Sequence, residues 1–167
     1  MFESLGPKFI EMIITPFRHA ELVWGIVPLY FGWIVNELTS SKATYSTAVQ
    51  TGFSFMWAGA HWAYQYLTTN PGAAKDFNLS LFLAVNVTVT ILVLIMGVIA
   101  FVCGIRRKYP KYGAFLGHTR FSNYFMIAIF PMQSGFLPWS WDRFIAILAF
   151  AVPTWMIFHF GLMPLRK

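Results

Sequence analysis

The side chains able to do chemistry in the apolar parts of this chain are few, and they gather in one stretch. Thr47, Gln50, Ser54, His61, Gln65 and Thr68 fall within about 60° of one another when successive residues turn by about 100°. Imidazole, amide and hydroxyl groups on one helix face can hand on a proton, hold a ligand or line a route for a small neutral or weakly charged solute. The same groups can also bond one helix to another, which in membranes contributes about 0.6 kcal/mol per contact on average. Both readings stand at this stage. A weaker arc of Asn86, Thr90, Gly97, Ala100 and Gly104 marks the next apolar stretch. Asn86 needs a partner there, and pairing with the first stripe predicts that Ser54 faces Thr90. Gln50, Ser54, His61, Gln65, Asn86 and Thr90 are therefore the candidate pathway or ligand contacts.

Other chemistries fit the residues poorly. His61 and His159 could ligate one haem iron, but their positions in their own stretches put them roughly 15 Å apart in depth at about 1.5 Å per residue. No cofactor is expected, and haem or pigment held with a partner chain is the lesser alternative. His19 and His118 fall in interfacial segments. Glu21, Glu37, Asp76 and Asp142 all lie at the ends of apolar stretches, whereas an ion-coupled pump needs a carboxylate within one. No lysine lies within a stretch, which excludes a retinal Schiff base. There is no phosphate-binding glycine loop, HExxH or nucleophile elbow. The single Cys103 allows neither an internal disulfide nor a thiolate cluster.

The elements that must position these groups are greasy. The chain is 57% hydrophobic, 19% aromatic and only 11% charged over 167 residues, where a soluble domain carries about a quarter charged residues. Leu79 to Ile105 has no ionisable group but Cys103 and ends at Arg106, Arg107 and Lys108. It is long enough to cross a hydrocarbon core of about 30 Å. Further stretches run from about Ala20 to Asn36, Thr47 to Leu67 and Arg143 to Met163. A fourth, Phe121 to Leu137, is broken by Pro131 and by Gln133-Ser134-Gly135, and either spans or re-enters. The expected fold is an all-α integral membrane protein: a bundle of about five transmembrane helices, or four plus a re-entrant segment, over residues 19–167. Residues 1–18 form an amphipathic helix, with Phe2, Leu5, Phe9, Met12 and Ile13 opposite Glu3, Lys8 and Glu11. It is expected to lie in the membrane interface or to dock on a partner. Those three charges also argue against a cleavable signal peptide.

Gly25 with Gly32, Gly52 with Gly59, and Gly97 with Gly104 are each seven residues apart and so mark faces for close helix packing. The net charge of +6 follows topology and is no nucleic-acid footprint. With five spans and an external N-terminus, Lys42, Arg106, Arg107, Lys108, Lys111, Arg120, Arg166 and Lys167 lie inside, eight basic residues against four outside, as orientation in a plasma membrane demands. Arg106, Arg107, Lys108 and Lys111 can also attract lipid headgroups. The expected role is a non-catalytic structural or accessory subunit whose partners are the lipid bilayer and other membrane subunits or copies of itself. The alternatives are a channel or carrier lined by the stripe, and a cofactor-binding subunit.

Overall fold

A computed structural model describes residues 5–39, 45–69, 81–107 and 120–165. Six α-helices follow one another among the described residues: α1 (Leu5–Arg18), α2 (Ala20–Thr39), α3 (Tyr45–Thr69), α4 (Leu81–Arg106), α5 (Arg120–Gln133) and α6 (Trp141–Gly161). A single 3-10 turn, Met163–Leu165, follows α6. There is no strand among the described residues, so the all-helical expectation holds, with the starts of α2 to α6 within two residues of the expected ones. Five separate membrane spans are not what length and hydropathy give. Among the described residues, two helices are long and apolar enough to cross a membrane, Ala84–Arg106 and Trp141–Gly161, with a shorter apolar run at Ala20–Val35. The polar stripe dilutes the apolar character of α3, and the 14 residues of α5 reach only about 21 Å.

Glycine contacts fix the helix directions. On α2, Gly25 meets His61 and Phe130, while Gly32 meets Ser54 and Asn123, so α3 and α5 both run antiparallel to α2. On α4, Leu94 meets Gly59 and Gly104 meets Val49 and Tyr45, so α4 runs antiparallel to α3. Trp139, just before α6, donates to Asn86 Oδ1 at 2.7 Å near the start of α4. Phe158, far along α6, packs on Trp33 with ring centroids 4.1 Å apart. From α2 to α6 the helices therefore alternate in direction.

At the centre lies α5. Every residue from Met126 to Ser134 is buried, because α1, α2, α3 and α6 all pack around this short helix. Its end is a Schellman motif: Gly135 takes φ +81°, its N–H donates to Met132 O at 3.1 Å, and Phe136 N–H donates to Pro131 O at 3.0 Å. Glycine suits that position because a Cβ there would be strained. Ser140 then caps α6 by accepting from Arg143 N–H.

The amphipathic start packs on this same bundle. Leu5, Met12, Thr15 and Pro16 of α1 are buried, and Phe9 stacks on Phe150 with centroids 4.7 Å apart. Pro16 does not break the helix, which continues to Arg18. Lys8 pairs with Asp142, and Arg143 donates to Glu11 Oε2 at 2.9 Å, pinning α1 to the start of α6.

Candidate functional site

The helix α3 presents two faces to two neighbours. Its small residues lie against α4. A methyl group on Gly52 would come 2.5 Å from Phe101 N and 2.7 Å from Gly97 O. On Gly59 it would meet Leu94 at 2.8 Å, and on Gly97 it would meet Met56 at 2.9 Å. The backbones touch because these positions carry no side chain.

The polar stripe turns instead toward α2 and α5. Ser54, 3% exposed, donates through Oγ to Pro28 O at 3.1 Å. One turn on, Trp57 Nε1 donates to Trp24 O at 2.7 Å. Proline supplies no N–H to the carbonyl four residues back. Pro28 therefore leaves Trp24 O without its helical donor, and the indole of α3 takes that place. Gln65 Nε2 reaches Glu21 O at 3.4 Å, a long bond. His61 lies over Gly25, where a methyl group would be 2.4 Å from its Cδ2 and 2.5 Å from Phe130 Cζ. The His61 and Trp62 rings each sit 5.7 Å from the Phe130 ring.

The expected pairing of Asn86 with this stripe is not what forms. Asn86 is buried but is held by Trp139, and Thr90 is half-buried on α4. The reason is steric: the small face of α3 gives the closest approach, so that face takes α4 and carries the stripe away from it.

Several buried polar atoms have no hydrogen-bond partner among the described residues. They are Gln50 Oε1, Thr51 Oγ1, His61 Nε2, Trp62 Nε1, Ser134 Oγ and both amide atoms of Asn123 and Gln133. Each such group costs about 1–3 kcal/mol when buried. Asn123 Nδ2 lies 3.8 Å and Ser54 Oγ 2.9 Å from the point a Gly32 methyl would occupy, which joins α5 to the stripe. Sequence reading did not single out Asn123, Gln133 and Ser134. Their signal was present, as amides and a hydroxyl inside a run of Phe, Met and Ile, but Gln133-Ser134 read only as an interruption. Glu37, expected at a span end, is 1% exposed.

The remaining expected residues scatter. His159 stacks on Trp155 at 5.0 Å and follows Phe158, which packs on Trp33, whereas His61 sits at Gly25. Eight residues of α2 separate those levels, about 12 Å, so the two imidazoles do not come together. Arg106 and Arg107 are exposed at the end of α4. Arg107 adopts φ 52° and its carbonyl accepts from Tyr45 OH at 3.1 Å. Lys108 and Lys111 lie outside the described residues. Among those residues no group of three or more His, Cys, Asp or Glu side chains is placed to hold a metal.

No protein-family model, curated protein or solved structure matches the chain, which leaves geometry as the only guide to function.

Proposed function

We propose that this chain is a multi-pass, non-catalytic subunit of a membrane assembly, made with other membrane subunits or with copies of itself. One observation carries the reading: the two helices long and apolar enough to cross a membrane are mostly exposed within the chain. Only 22% of the span in α4 and 11% of the span in α6 is buried. Ile91, Leu92, Ile95, Val98, Ile99 and Ile105 of α4 are exposed, as are Val152, Ile157 and Phe160 of α6. A core helix of a water-soluble protein is mostly buried, and soluble monomers rarely leave continuous apolar faces of this size uncovered. Lipid tails and the helices of neighbouring chains are the environments that accept such faces. The alternating directions of α2 to α6 support five crossings, with α5 threaded through protein instead of lipid. The measurement that tests the role is the mass of the intact particle in a mild detergent. A particle heavier than one 19.1 kDa chain is expected, and a lone monomer would overturn the reading.

A second reading, passage of a small neutral solute along the stripe, is favoured by the unpartnered atoms of His61, Asn123, Gln133 and Ser134. Those groups would gain hydrogen bonds from a passing hydroxyl or amide. Uptake of glycerol or urea by proteoliposomes tests it: flux lost in His61→Leu supports passage, and vesicles no leakier than protein-free ones rule it out.

A further inference from the structure

We propose that the outer face of α1 is a binding site for one anionic phospholipid, with its phosphate on Arg18 and an acyl chain over Ile14 and Ile10. The inference rests on the membrane reading above. A groove of about 380 Å³ lies along this face, lined by Pro7, Ile10, Glu11, Ile14 and Arg18. Its floor is apolar, and Ile10 is 56% exposed, although α1 turns its other apolar side, Leu5 and Met12, into the bundle.

Charge complementarity selects the occupant. Around the groove, Lys8 is taken by Asp142, Glu11 by Arg143, and Glu21 lies 3.8 Å from His19. Arg18 has no ion-pair partner among the described residues. A cation left over at the end of an apolar channel fits a phosphate whose ester carries hydrocarbon, since guanidinium binds phosphate through paired N–H donors. An amphipathic helix with an exposed apolar strip and a basic end is also the form that engages anionic lipid.

The test uses the full chain purified in mild detergent, with native mass spectrometry read after adding phosphatidylglycerol, phosphatidylcholine or inorganic phosphate. One phosphatidylglycerol adduct is expected to persist, several-fold more occupied than the phosphatidylcholine adduct. Arg18→Gln should lower its occupancy about fivefold, the equivalent of one basic contact near a membrane surface. Ile10→Asp, at an exposed position the fold does not need, should remove adducts of both lipids. Thr88→Ala, at an exposed position on α4, should leave them unchanged. Equal retention of both lipids, indifference to Arg18→Gln, or displacement of the adduct by millimolar phosphate would overturn the site. Recovery of the chain in the aqueous fraction without detergent would instead overturn the membrane reading, so the two failures are distinct.

Discussion

Where the helices approach most closely around α3, residues without side chains make room for their neighbours. At Gly25 a single methyl group would collide with both His61 and Phe130, which come from two different helices. Gly25→Ala should therefore destabilise the fold by about 1–3 kcal/mol, the usual cost of overpacking, seen as a lower midpoint in detergent-phase thermal unfolding. Gly161→Ala has nothing within 4 Å of the added methyl and should leave the midpoint in place. Pro28 and Trp57 form a coupled pair, because the indole serves a carbonyl that proline has orphaned. Trp57→Phe should cost about 0.5–1.5 kcal/mol in the native chain. In a Pro28→Ala background the same change should cost clearly less, since Trp24 O regains its helical donor. A double-mutant cycle with no coupling would show that the indole bond is incidental. In the sequence, Pro28 reads as a kink and Trp57 as one of several aromatics crowding the second apolar stretch. Their partnership was illegible, because it depends on which face of α3 turns toward α2.

The helices themselves were the legible part. Apolar runs and flanking charges place all of them to within a few residues, and the seven-residue glycine spacing marks which faces allow close approach. What periodicity does not encode is which face chooses which neighbour. The stripe and the small face of α3 are both visible on a wheel, yet assigning Asn86 to the stripe failed, because Trp139 arrives from a connector 53 residues away. The importance of α5 was hidden for a related reason. A short run interrupted by Pro131 reads as a span or a re-entrant segment, and only three-dimensional packing makes it the centre. The attachment of α1 is testable at this scale. Arg143 is only 13% exposed, so losing its carboxylate leaves a mostly buried cation unpaired, whereas Lys8 and Asp142 are more open to screening. Glu11→Gln should raise amide hydrogen exchange along α1 more than Lys8→Gln does. Equal effects would mean that apolar packing of Leu5, Met12 and Phe9 alone holds the helix.

For the molecule as a whole, the five crossings proposed above would put the two ends of the chain on opposite faces of the membrane. Epitope tags at the N- and C-termini of the protein in sealed vesicles should be protected from protease in opposite senses. Identical protection would mean that α5 and its flanking turns return to the face they left. The all-round burial of α5 also has a consequence for how the chain assembles. The ribosome delivers α1 to α4 first, so the cleft bordered by Gly25 and Gly32 stands unfilled until the later segments are made. If the chain inserts as proposed, the nascent bundle would have a vacant slot lined by His61, Trp62 and Ser54, to be filled by a latecomer of 14 residues, too short to cross a bilayer by itself.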